Sequence, residues 1–100
     1  MAKRVFLAAR DLVFRSKLGA VVGGAGGVVG RDPDACDLAV VDVELAGAAD
    51  RIRSFLERGI PVLAYGAHVR PELLRAAREA GATAVPNSQV QERLASFLKA

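Results

Sequence analysis

Leu38-Ala39-Val40-Val41-Asp42 is a continuously apolar run of strand length that ends on a carboxylate. A short run without alternation, bounded by turn residues, reads as a strand buried on both faces, and such strands belong to parallel sheets covered by helices on either side. Ligands of these sheets collect beyond the carboxyl ends of the strands. Asp42 therefore stands where any chemistry of this chain is to be expected.

Outward from that run, strands and helices alternate. Val5 to Ala9 reads as an apolar strand, followed by a helix through about Val22 with Phe14, Leu18, Val21 and Val22 on one stripe and Gly23-Gly24 as its stop. Gly27-Val28-Val29-Gly30 is a weak short strand. Asp32-Pro33 can start one helical turn, Asp as cap and Pro at the first position. The connection from Val29 to Leu38 is nevertheless shorter than the dozen or so residues that a parallel crossover normally takes. Ala46 to Glu57 is expected as a helix burying Ile52, Phe55 and Leu56, and Ile60 to Tyr65 as a strand. Pro71 to Ala80 is expected as a helix with Leu73, Ala76, Ala77 and Ala80 inward, and Ala82 to Val85 as the last strand. Ser88 with Gln91 forms a capping-box pattern ahead of a terminal helix striped by Val90, Leu94, Phe97 and Leu98. The fold class that follows is α/β: a three-layer α/β/α sandwich on five parallel strands, with a shortened or missing second helix, as a single domain over residues 1–100.

Composition narrows the function classes. Hydrophobic residues at 52% with charged residues at 25% describe a globular chain rather than a disordered one. No apolar stretch is long enough to span a bilayer, and Val5 to Ala9 stops at Arg10, too soon for a signal peptide, so the cytoplasm is the expected location and no membrane partner is expected. One cysteine excludes an internal disulfide, and one cysteine with one histidine cannot build a zinc site; Cys36 reads as a small core filler. The net charge of +3 permits an acidic partner, but basicity without an aromatic platform or recognition motif makes nucleic acid an unexpected one. Gly23 to Gly27 is glycine-rich but follows a helix and precedes a strand, the reverse of a phosphate-cradling loop, and reads as a turn. His68 lacks a nucleophile beside it and reads as a surface residue; Tyr65 reads as half-buried with a wet hydroxyl.

Four stretches together resemble the receiver domain of bacterial response regulators: Leu38 to Asp42, Asp11-Leu12-Val13-Phe14-Arg15 at the start of the first helix, Ile60 to His68, and Ala76-Ala77-Arg78-Glu79-Ala80-Gly81-Ala82. The resemblance covers essentially the whole chain and implies a five-stranded flavodoxin-like sheet with Asp42 as the equivalent of the phosphoacceptor. It also exposes what is missing. Matching Arg15 to the family's helix arginine puts Ala9 and Arg10 where receivers place two acids that hold Mg²⁺, with Asp11 just after the pair. Gly66, followed by Ala67, stands where the family has a hydroxyl that bonds the phosphoryl group, and the lysine before the family's proline is matched by Val85-Pro86 or Pro86-Asn87.

An isolated carboxylate has little power in phosphoryl transfer, which rests on positioning and charge neutralisation. The expectation is therefore a degenerate receiver, a pseudo-receiver, without enzymatic activity, cofactor or metal, acting as a phosphorylation-independent interaction module. Asp42, Arg10, Asp11, Gly66 and Ala67 would line the vestigial site, and Arg10 could reach Asp42 as an internal counterion where the family has its metal. Two alternatives stand beside it: a weak phosphoacceptor working through Asp42 in a two-component pathway, and a sensor of a small anion or nucleotide using space left by Gly66 next to Arg10. The expected partner is another protein or a second copy, since the family analogy implies a dimerisation surface on its fourth helix, last strand and fifth helix; here that surface would carry Arg70, Glu72, Arg75, Arg78, Glu79, Glu92 and Arg93.

Overall fold

A computed structural model describes residues 2–99. Strands β1 (Arg4–Ala8), β2 (Val28–Gly30), β3 (Leu38–Asp42), β4 (Val62–Gly66) and β5 (Thr83–Pro86) alternate with helices α1 (Leu12–Gly24), α2 (Ala48–Glu57), α3 (Pro71–Ala80) and α4 (Val90–Lys99). All strands pair in parallel in the order β2-β1-β3-β4-β5. This is the expected flavodoxin-like three-layer architecture.

Strand periodicity sorts the core into two layers. Val5 and Leu7 of β1, Leu38 and Val40 of β3, and Leu63 and Tyr65 of β4 face Leu18 and Val22 of α1 and Val90 and Leu94 of α4. Ala8, Ala39, Val41, Val62 and Ala64 face Ile52 and Phe55 of α2 and Leu74 and Ala77 of α3. β3 and β4 are buried along their whole length, as an unalternating apolar run demands.

The second helix is missing altogether. Residues 31–37 must carry the chain from the carboxyl end of β2 back to the amino end of β3. Seven residues span roughly 25 Å when extended but only about 10 Å as a helix, against a strand about 17 Å long, so a helix would not reach. The segment instead makes a turn in which Asp32 Oδ1 accepts from Asp34 N at 2.9 Å, and it docks through Asp37, which exchanges hydrogen bonds with the backbone of Arg4.

Several boundaries and faces differ from the sequence reading. α2 starts at Ala48 rather than Ala46, because Gly47 takes a left-handed conformation (φ 74°) that turns the chain into the helix. β4 starts at Val62 rather than Ile60, and β5 runs Thr83–Pro86 rather than from Ala82. In α3 the buried residues are Leu74 and Ala77; Leu73 is half-buried and Ala76 and Ala80 are exposed. The α4 helix is entered through a 3₁₀ turn at Asn87–Gln89, so Ser88 lies inside that turn and not at a capping position. No helix of the described residues is long and apolar enough to cross a membrane.

Candidate functional site

Asp42 closes β3, in register with Tyr65 of β4, and is the one buried charged residue among the described residues, 4% exposed. A carboxylate so placed requires partners. Its Oδ2 accepts from Arg10 Nε at 2.8 Å and its Oδ1 from the Glu44 backbone N–H at 2.9 Å. Arg10, in the loop after β1, keeps 52% of its side chain exposed, so the pair joins a buried anion to a wet cation. The hydrogen bond and charge of Asp42 raise the Arg10 guanidinium further above its ordinary value.

The pair extends into a chain of alternating charges. Arg10 Nη2 reaches Glu44 Oε2 at 3.3 Å, Arg70 Nε lies 3.6 Å from Glu44 Oε1, and Arg70 Nη1 lies 3.7 Å from Glu72 Oε1. Three carboxylates thus meet two guanidinium groups, which leaves the cluster short of positive charge and unsuited to drawing in an anion.

The remaining expected site residues fall elsewhere. Asp11 is exposed and caps α1, its Oδ1 accepting from Val13 N at 2.8 Å and Phe14 N at 3.4 Å, and it shares no hydrogen bond with the Asp42 cluster. Gly66 is not bordered by free space, because a Cβ built there would lie 2.4 Å from Val43 Cγ2. The space beside Gly66 is filled by Val43, held beside β4 by a hydrogen bond from its N–H to Tyr65 O at 2.9 Å. Ala67 is half-buried, its carbonyl taking Arg70 N, and His68 is exposed.

Tyr65 is buried, not half-exposed, stacks on Phe14 with centroids 5.0 Å apart, and its hydroxyl has no hydrogen-bond partner among the described residues. Burial, assisted by the Asp42 charge, pushes its phenol well above its ordinary value. Cys36 is half-buried against the α2 side of the core, and burial raises its thiol.

Mg²⁺ does not fit this donor set. Mg²⁺ takes oxygen ligands in a near-octahedral array and is held through one or two carboxylates free to face it. Here the residues that follow β1 are Ala9 and Arg10, neither of them acidic, Asp11 is spent on the helix cap, and a guanidinium already occupies Asp42 Oδ2. No group of acidic, histidine or cysteine side chains among the described residues is arranged to hold a metal ion.

Glu44 and Arg70 are the participants that sequence reasoning missed. The separation of two between Asp42 and Glu44, just past a strand end, hinted at a shared side; Arg70 could be placed only by folding. Of the charges assigned to a dimerisation face, Arg70 is thereby drawn to Glu44, and Arg78 donates from Nε and Nη2 to Ala84 O of the edge strand β5 at 3.1 and 2.8 Å.

No family model matches the chain, and no curated protein matches it. Solved structures do. The receiver domain of DrrB in its BeF3-activated form superposes with a TM-score of 0.81 at 19% identity, over 99% of this chain and 96% of that one. A response regulator from Thermotoga maritima gives 0.76 at 18% identity, with both chains covered completely. NtrX from Brucella abortus gives 0.74 at 18% identity over 99% of this chain, which spans only 28% of NtrX. At these identities the likeness is one of fold: this chain is built like a response-regulator receiver domain.

Proposed function

We propose that the chain is a pseudo-receiver, a signalling module that binds another protein without being phosphorylated and without catalysing a reaction. The receiver-like fold supports the signalling part by analogy. The observation that carries the rest is the 2.8 Å bond from Arg10 Nε to Asp42 Oδ2. A carboxylate attacks phosphorus through a free oxygen lone pair while cations neutralise the transferring group. Each oxygen of Asp42 already accepts one hydrogen bond, and the cation beside it is a side chain of the protein, its second nitrogen shared with Glu44, rather than a metal that could bridge to a phosphoryl group. Arg10 thus supplies internally the charge balance that a receiver takes from its metal, so Asp42 is satisfied in a single state.

Intact-mass measurement after incubation with acetyl phosphate and Mg²⁺, with Asp42→Asn alongside, tests the reading. No added phosphoryl mass is expected on either chain. A phosphoryl group on the native chain that is absent from Asp42→Asn would overturn the proposal in favour of a working phosphoacceptor.

A further inference from the structure

The missing second helix leaves part of one sheet face without its outer layer. The crossovers into β4 and β5 place α2 and α3 on that face. Over β1 and β2 there is only the 31–37 loop. Val28 there is 52% exposed, Gly30 offers no side chain, and Phe6 is half-buried against Phe55, with ring centroids 5.8 Å apart. Between the loop and α2 lies an open cleft of about 510 Å³ with Phe6, Phe55 and Pro33 as its apolar lining.

The ends of this cleft differ. At the amino end of the sheet Arg58 closes it: the guanidinium lies 5.0 Å from the Phe55 ring centroid and pairs with Asp34 across the gap. At the other end, Arg31 follows the last residue of β2 and Arg51 sits in the first turn of α2. Neither makes an ion pair among the described residues, whereas Asp50, the one acid lining the cleft, is taken by Arg53. Phe55 itself is only 3% exposed, so the apolar surface that the cleft leaves open is that of half-buried Phe6 and exposed Pro33, beside two arginines without an ion pair among the described residues.

We infer that this cleft docks an amphipathic helix of a partner protein, its apolar side chains set over Phe6 and Pro33 and its flanking carboxylates on Arg31 and Arg51, so that the partner supplies the helix the crossover is too short to form. Charge complementarity selects an acidic segment, and a helix laid in an apolar groove through residues at i, i+3, i+4 and i+7 is a general recognition mode. The inference rests on the reading of the chain as an interaction module and names the surface and the chemistry of the partner.

The test is a titration of the ¹⁵N-labelled chain with a synthetic helical peptide carrying leucines at that spacing between glutamates. Amide shifts are expected to saturate, to concentrate in residues 28–37 and 48–58, and to weaken with salt. A peptide with lysine for every glutamate, and the Arg31→Glu/Arg51→Glu variant with the acidic peptide, are each expected to bind about tenfold more weakly or worse, with the variant's melting temperature unchanged. Absent binding, equal binding of both peptides, or shifts mapping to another face would overturn the inference. The acetyl phosphate experiment stands apart from this one, so loss of the docking surface and loss of the phosphorylation-independent reading are separately visible.

Discussion

Gly66→Ala is the perturbation that bears most directly on whether position 66 can carry a side chain at all. Gly66 lies in a strand without a positive φ, so alanine there would ordinarily stabilise by about 0.5–1 kcal/mol through the unfolded chain. Against that stands the 2.4 Å approach to Val43 Cγ2, far inside van der Waals contact. Val43 is 8% exposed and pinned through its backbone to Tyr65, so relief requires strain in a packed core, about 1–3 kcal/mol. The clash wins: a net loss of about 0.5–2 kcal/mol is expected, which for a chain of this size lowers the melting temperature by about 4–8 °C for each kcal/mol. Urea denaturation of Gly66→Ala, Val43→Ala and the double variant forms a cycle. Val43→Ala alone costs stability by losing buried methyl groups, but it vacates the space, so the double variant is expected to be more stable than the sum of the single effects by about 1–3 kcal/mol. Additive effects, or a stabilising Gly66→Ala, would refute the claim that Val43 fills the space beside Gly66.

Two further outcomes follow from the site geometry. Tyr65→Phe removes a buried hydroxyl without a partner, whose burial costs about 1–3 kcal/mol, so the variant is expected to be at least as stable as the native chain at neutral pH. Because the folded state holds the Tyr65 proton above the ordinary value of 10.0, the stability tied to it is complete below that pH and declines as pH rises beyond it. Urea melts of native and Tyr65→Phe chains across that range should show the native alkaline loss diminished in the variant; as the chain has one tyrosine and no tryptophan, tyrosinate absorbance reports this residue alone, and an ordinary titration while folded would contradict its burial. Asp11→Ala is expected to cost about 0.5–2 kcal/mol through the lost α1 cap, with no change in the Arg10–Asp42 pair as read by the Arg10 Nε proton resonance. A variant of unchanged stability would show that the cap contributes little.

How much of this was legible in the residues divides along physical lines. Local pattern carried the layer architecture: the unalternating runs Leu38–Asp42 and Val62–Gly66 could be satisfied only by burial on both faces, and Pro71 with Gly81 bracketed α3 to the residue. The missing second helix was also local, a matter of seven residues and the reach of a chain. The cap at Asp11 is legible too, as an acid immediately before the helical stripe, although the family resemblance places Asp11 at the strand-end site.

Periodicity, by contrast, gives spacing without phase. Leu73 and Leu74 are equivalent to a period of 3.6 until the sheet and α2 select one face, and they selected Leu74 with Ala77. The sequence by itself determined a parallel sheet, its strands, and an acid at the end of the third, because those follow from hydrophobic burial along a few consecutive residues. Only the tertiary structure decided that Val43 fills the space at Gly66, that Arg70 turns to Glu44, and that Arg31 and Arg51 flank the cleft beside Phe6. Those arrangements depend on close packing between segments far apart in the chain, where a shift of an ångström changes which groups touch.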